Sequence, residues 1–302
     1  MSGRRWVVGA GDGETVGAIV GKAAPGDTKA IAEGRVFVGR KRVRSGDEPV
    51  TVGDAVTVAE PAEAVAWLTV LKRGRGWVAV DKPAGLPSIP DQGGAAHSLL
   101  ALTARALSLP TERLHPTSRL DRDVSGVVIF AFESAAADRL RLAREEHRYA
   151  RRYVAIAVRP PVPPSGTWDS PIGRGRDARH RAAFGKDPDP AKTHYATVAV
   201  TASPVLLALA PVTGRTHQLR VHASHEGAPF LGDRAYGGPT RLPLPTGRVL
   251  AFDRVFLHAA RVTVDGAEID SPVPEALRAT WLALGGEGEA WEKAVSWPLP
   301  AS

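Results

Sequence analysis

Apolar positions along the chain fall mostly into short blocks of strand length, separated by glycine, proline and polar turns. Residues 77–80, 126–132, 152–158, 196–201, 205–210 and 256–264 read as strands, and 126–132 is a continuous apolar run of the kind buried on both faces. Apolar spacing of three and four residues marks helices over 98–107, 135–147 and 274–284, with another expected after Gly214. These helices follow the strands irregularly, without the alternation that builds a parallel sheet. The expected fold class is therefore α+β, with a mixed, largely antiparallel sheet flanked by helices and loops.

The first part of the chain has a different texture. Residues 16–20 and 28–33 have the look of short helices, the second closed by Gly34 in a left-handed cap. Residues 35–43 and 55–59 then read as small strands, with turn signals at Ser45-Gly-Asp47 and Gly53-Asp54. A module this small needs neighbours or a ligand for stability. Glu60-Pro-Ala-Glu-Ala64 reads as a linker, which gives a small α/β module over 1–61 and a main domain over 67–290. Within the main domain, 160–164 is a proline-rich loop, 173–186 a basic loop and 239–246 a surface insertion.

Composition narrows the class. With 43% hydrophobic and 24% charged residues among 302, the chain has the balance of a folded protein rather than a disordered one. Apolar stretches such as 127–132 and 198–210 fall short of the ~20 residues of a membrane span, and residues 1–8 carry two arginines without a signal-peptide apolar run. The expectation is a cytoplasmic protein without membrane contact. Cysteine is absent, which excludes disulfides, thiolate nucleophiles, zinc ribbons and iron–sulfur clusters. Lysine and arginine outnumber acids 39 to 32, a formal charge of +7 that favours a polyanion, nucleic acid first, as partner.

Two segments concentrate reactive side chains. In Arg119-Leu-Asp-Arg-Asp-Val-Ser-Gly126, two acids and two arginines sit in a loop directly before the buried strand. Such an anchor holds a loop carboxylate rigidly, and the arginines would favour the charged form of Asp121 and contact phosphate. A surface salt-bridge turn has the same composition and is the commoner arrangement. In Thr213-Gly-Arg-Thr-His-Gln-Leu-Arg-Val-His222, a helix opening at Gly214 would aim free N–H groups of 214–216 at an anion and place Arg220 near Thr216 and His217. An N-capped basic surface helix is the alternative. His217, His222 and His225 do not share one helical face and no H-E-x-x-H pattern is present, so no metal is expected. Gly9-Ala-Gly-Asp-Gly13 and Gly21-Lys22 are incomplete as nucleotide loops and read as turns.

Taken in order, Lys82-Pro-Ala-Gly85, Arg119–Gly126, Thr213–His222, Gly232-Asp-Arg-Ala-Tyr-Gly237 and Leu257-His-Ala259 resemble the successive signatures of the RluA-type pseudouridine synthases. The match spans roughly Trp67 to Leu284. The N-terminal module is similar, more loosely, to the ribosomal-protein-like RNA-binding module that many members carry, through Gly34-Arg-Val-Phe-Val38 and Val52-Gly-Asp54. The resemblance implies a pseudouridine synthase fold, structured RNA (ribosomal or transfer RNA) as partner, and isomerisation of a flipped-out uridine without cofactor or metal. It assigns Asp121 as nucleophile, Arg220 as its ion-pair partner and Tyr153 as the tyrosine that stacks on the base and assists the last proton transfer. Arg119 would displace the target from its stack; Arg122, Arg215 and His217 would contact RNA, and Leu219 or Val221 would wall the pocket.

Three positions depart from the family pattern: Ser118 replaces histidine, Val124 replaces threonine and Arg151 replaces lysine. None is the nucleophile, so activity is expected, with substrate choice the property they bear on. Arg35, Arg40, Lys41, Arg42 and Arg44 are expected to form an auxiliary RNA-binding edge. A non-catalytic RNA-binding or RNA-folding factor on the same scaffold is the alternative function, and a glycosidase of free nucleosides a third. A monomer is the default expectation.

Overall fold

The computed structural model describes residues 3–27, 29–32, 34–39, 41–59, 68–90, 97–177, 180–244 and 246–298. The chain divides into two compact units, Met1–Leu68 with Leu86–Leu114, and Thr69–Gly85 with His115–Ser302.

The first unit contains strand β1 (Gly3–Val7), helix α1 (Val16–Ala23), strands β2 (Val36–Val38), β3 (Lys41–Arg42) and β4 (Ala55–Ala59), and helix α2 (Leu99–Ala106). The strands form an antiparallel sheet in the order β1-β4-β2-β3. α1 begins where the Thr15 side chain accepts the Ala18 N–H. Its residues Val16, Ile19, Val20 and Ala23, spaced as one helical face, pack with Val36, Val56 and Val58 of the sheet. α2 starts in the same way, Ser98 accepting the Ala101 N–H.

Among the described residues of the helix expected over 28–33, no helix forms. Residues 29–32 make turns, with Ala30 N–H bonded to Asp27 and Gly34 N–H to Ile31, three residues back instead of four; Thr28 and Glu33 lie outside the described residues. The basic edge is also altered. Arg35 is 2% exposed, with both terminal nitrogens on the Asp27 carboxylate at 2.5 and 2.6 Å, so it is an internal ion pair and not a solvent-facing RNA contact. Arg42 is half-buried over the Phe37 ring. Lys41 and Arg44 remain at the surface, both tied to Glu48, which accepts the Lys41 ammonium and the Arg44 backbone N–H. Arg40 and the linker at 60–64 lie outside the described residues.

The second unit opens with β5 (Val70–Gly74), β6 (Trp77–Lys82), β7 (His115–Pro116), β8 (Ser125–Ala131), α3 (Ser134–Glu145) and β9 (Tyr149–Ala157). It continues through β10 (Ser165–Trp168), β11 (Ile172–Arg174), β12 (Arg181–Ala183), β13 (Lys186–Asp189), β14 (Thr193–Val200), β15 (Val205–Pro211) and α4 (Gln218–His225). It closes with β16 (Arg241–Pro243), β17 (Val249–Ala251), β18 (Leu257–Val264), β19 (Ala267–Asp270), α5 (Glu275–Ala283) and α6 (Ala290–Val295). A ten-stranded sheet runs β10-β14-β15-β9-β18-β8-β6-β5, with β19 on β18 and β7 on β8. Among the described residues only the β8–β18 pairing is parallel within it, so the mixed, largely antiparallel sheet is as expected. α3 covers one cluster, Ala136, Leu140 and Ala143 packing on Val127 and Ile129. α5 and α6 cover another, where Leu277, Trp281 and Trp291 meet Val154, Ile156 and Leu206.

The basic stretch 173–186 is only partly a loop: it carries β12 and portions of β11 and β13, which form the small sheet β12-β11-β13, whose residue Ile172 is anchored in a cluster with Ala191, Val221 and Tyr236. The insertion at 239–246 contributes one strand of the β16–β17 hairpin.

Candidate active site

Three neighbouring strands align the site. Tyr153 of β9 stands opposite Ala259 of β18, and Ala259 opposite Gly126 of β8. Gly126 has φ +120°, and a Cβ there would fall 2.2 Å from the Ala259 carbonyl oxygen, so only glycine allows this close parallel approach. The loop entering β8 is the one that carries Asp121. It is closed by a turn from the Val124 N–H to the Asp121 carbonyl at 3.1 Å.

The Lys82-Pro-Ala-Gly85 turn clasps that loop. The Arg122 carbonyl accepts the Gly85 N–H at 2.8 Å and the Lys82 ammonium at 3.0 Å, while Arg122 Nε donates to the Gly85 carbonyl at 3.0 Å. Lys82 is fully buried and also donates to the Pro83 carbonyl. Burial pushes its pKa down to about 7, against the opposing pull of the Asp123 and Asp121 carboxylates.

Arg220 on α4 joins two carboxylates. Its Nε and Nη2 each lie 2.7 Å from an oxygen of Asp233, and its Nη1 lies 2.9 Å from Asp121 Oδ2. Asp233 is 1% exposed, and the guanidinium also lies over the Tyr236 ring, 4.8 Å from its centroid. Burial alone would lower the Arg220 pKa, but hydrogen bonding and charge from Asp233, then Asp121, raise it, so the cation is fixed. Because Asp233 takes two donors of the fork, Asp121 is held through a single oxygen. Its other oxygen lies 3.9 Å from His217 Nε2.

His217 sits in the left-handed region, φ 58°, just before α4, with Nδ1 2.6 Å from the Tyr236 hydroxyl. The same hydroxyl accepts the Arg181 N–H at 3.1 Å. Burial lowers the His217 pKa, opposed by the Asp121 charge. The buried Tyr153 phenol has its pKa raised, mainly by burial.

The other expected site residues disperse around this centre. Arg119 is exposed beside the loop, and Arg215 is exposed with Nε on the Pro190 carbonyl. Leu219 is buried on α4, and Val221 belongs to the small cluster with Ile172, Ala191 and Tyr236. The expected anion site at 214–216 is not a helix start. α4 begins at Gln218, and the Gln218 side-chain oxygen already accepts the Arg215 N–H and the Thr213 hydroxyl. His222 is bonded to the Thr193 hydroxyl and the Ser170 carbonyl, and among the described residues no group of three or more His, Asp or Glu could hold a metal ion. Of the departures, Arg151 donates to the Pro211 and Thr213 carbonyls, bracing the entry to the Arg215–Arg220 segment, and Val124 is buried.

Sequence reasoning gave no role to Asp233, Tyr236 or the buried network behind the loop. In that network His258 Nδ1 lies 2.8 Å from Ser125 Oγ and Nε2 3.2 Å from the Ser271 carbonyl, while Arg254 donates to Ser125 Oγ at 2.6 Å. Burial pushes the His258 pKa down to about 4. The signal was present, since Asp233, Tyr236 and His258 all lie in the quoted motifs. Their partners are far away in sequence.

The chain matches the model of the RNA pseudouridylate synthase family over residues 76–225. It is 34% identical over 232 residues to an uncharacterized RNA pseudouridine synthase of Mycobacterium bovis, covering 73% of this chain and 74% of that protein. To the ribosomal large subunit pseudouridine synthase D of Yersinia pestis it is 29% identical over 289 residues, 88% of each. Among solved structures, human RNA pseudouridylate synthase domain containing 4 superposes with a TM-score of 0.59 at 24% identity, covering 72% of this chain and 92% of that one, a likeness of fold. The chain is a member of the RNA pseudouridine synthase family, of the RluA type, and isomerises uridine in RNA.

Proposed function

We propose that the chain isomerises particular uridines of large-subunit ribosomal RNA, with Asp121 as nucleophile. The observation that carries this reading is the Asp121 carboxylate, fixed through one oxygen by a buried arginine and left with its second oxygen uncommitted to that arginine. The ribosomal substrate is supported by the printed name of the Yersinia relative.

In this reading the target nucleotide leaves its stack, as enzymes acting on bases commonly require. The exposed Arg119 takes the space it vacates, and Arg122, Arg215 and His217 hold the flanking RNA. Asp121 attacks the anomeric carbon, or assists loss of the neighbouring proton to give a glycal, and the bond from C1′ to N1 breaks. The freed uracil turns so that C5 faces the sugar, and a C5–C1′ bond forms as the Asp121–C1′ bond breaks and releases the carboxylate or, in the glycal route, as the proton taken from C2′ returns to it. The hydrogen on C5 then leaves as a proton and N1 gains one, so product and substrate are isomers. Arg220 orients the carboxylate throughout. The neutral Tyr153 phenol, whose pKa is raised, stacks on the base and relays the last proton.

The test is a transcriptome-wide pseudouridine map with and without the gene, complemented by wild type or Asp121→Asn. Ribosomal sites lost on deletion and restored by wild type alone are the expected result. Restoration by Asp121→Asn, or loss confined to other RNAs, would overturn the nucleophile or the substrate respectively.

A further inference from the structure

Beside the Asp121–Arg220 pair is a cavity of about 350 Å³ to which no step above assigns an occupant. Its walls include Arg220 and Asp233, then Asp123, Arg176, His180 and Arg234. The charges on these walls are unequal in their commitments. Asp233 is spent on Arg220 in a two-point ion pair. The Asp123 charge acts on two cations behind the loop, the buried Lys82 and the half-buried Arg254, favouring the charged form of each. Asp177, next to the cavity, gives both carboxylate oxygens to the His180 ring and one of them also to the His180 backbone N–H, and reaches Arg176 at only 3.9 Å.

That leaves the Arg176 and Arg234 guanidiniums exposed on the same cavity, each from a different segment, one following β11 and the other in the single-turn 3-10 helix Arg234–Tyr236. Hydrogen bonds hold the segment that carries Arg234 in place. The Tyr236 hydroxyl bonds Arg181 on one side and His217 on the other, and the 232–238 loop is closed by Gly238 N–H to the Asp233 carbonyl at 2.8 Å. Two forks converging on a polar cavity suit a phosphodiester, whose two free oxygens accept from planar donors.

We infer that this cavity is a phosphate subsite, in which Arg176 and Arg234 grip the phosphodiester flanking the target uridine while Asp121, held by Arg220, meets the sugar next door. The inference rests on the reading of Asp121 as the reacting centre. It gives these two arginines a share in selecting which uridine enters, because the backbone phosphate must reach the cavity when its neighbour reaches Asp121.

The test uses the full chain and an unmodified large-subunit ribosomal RNA transcript as probe, with binding and single-turnover pseudouridine formation followed from low to high salt. Arg176→Gln and Arg234→Gln should each raise the half-saturating RNA concentration by about fivefold at low salt, and each should flatten the log–log salt slope by about 0.7 to 0.9. Arg176→Lys and Arg234→Lys should restore most of the slope. Arg73→Gln, which removes a charge from an exposed strand residue away from the cavity, should change neither. Unchanged half-saturation in the glutamine variants, or an equal effect from Arg73→Gln, overturns the subsite. Full arginine dependence of binding in a wild-type protein that makes no pseudouridine would instead sink the Asp121 reading and leave a phosphate cavity standing.

Discussion

At the scale of single residues, the site is organised by an arginine that has more carboxylate than it can hold symmetrically. Asp233 occupies two donors of Arg220 and leaves one for Asp121. Without Asp233 the fork would be free to swing into a two-point pair with Asp121, tying up the second oxygen. Asp233→Asn should therefore lower the single-turnover rate by about a hundredfold, the cost of a small misplacement at a reacting centre, while RNA binding changes little. A binding loss as large as the rate loss would argue that Asp233 supports the RNA surface instead. His258 gives a separate signature in stability. It is neutral when folded, with a pKa pushed down to about 4 from an ordinary 6.5. As pH falls from 6.5 towards 4, the unfolded chain takes up a proton that the folded chain does not, so this stabilisation is complete above 6.5 and lost by about 4. At about 1.4 kcal/mol per pKa unit the loss is on the order of 3 kcal/mol at most. Urea unfolding of His258→Gln should lack that part of the slope, and identical slopes in both proteins would show that His258 is not its source.

Among elements, β8 and β18 are the critical pair, because their parallel contact sets the Asp121 loop beside Tyr153. Gly126→Ala would push a methyl group into the Ala259 carbonyl at a backbone angle that side chains avoid. It should cost about 3 kcal/mol and lower Tm together with activity; a wild-type melting curve would show that the strands can part there at no cost. The strand role of β8 was legible because its run of apolar residues is continuous, and α3 and α5 because their apolar spacing is helical. The small β11–β13 sheet was not, since strands of three or four residues are too short to show an alternation, and β12 and β13 contain no buried residue. The start of α4 was misplaced for a related reason. Its N-cap residue is His217 in the left-handed region, with no side-chain cap to announce the start, and Gln218 instead ties down the preceding turn by accepting the Arg215 N–H. In the site, the motifs identified Asp121 and Arg220, and the structure brings those two together. What the order of residues could not show was which distant carboxylate would claim the rest of the arginine, nor that Arg35 would turn inward to Asp27.

For the whole molecule, a formal charge of +7 makes RNA affinity a function of salt. Within the first unit, Lys41 and Arg44 are the described surface members of the expected basic edge, and we propose that they contact RNA outside the target site. Lys41→Gln with Arg44→Gln should flatten the salt slope of binding by about 1.5 without altering the single-turnover rate at saturating RNA; an unchanged slope would reduce this edge to a solvated surface. The central claim, however, concerns one carboxylate. Its most direct test is pseudouridine formed in a large-subunit ribosomal RNA transcript by wild type and by Asp121→Asn at saturating protein, with RNA binding measured on the same samples. The account predicts a rate loss of about ten-thousandfold with binding nearly unchanged. Pseudouridine formed by Asp121→Asn at close to the wild-type rate would contradict it.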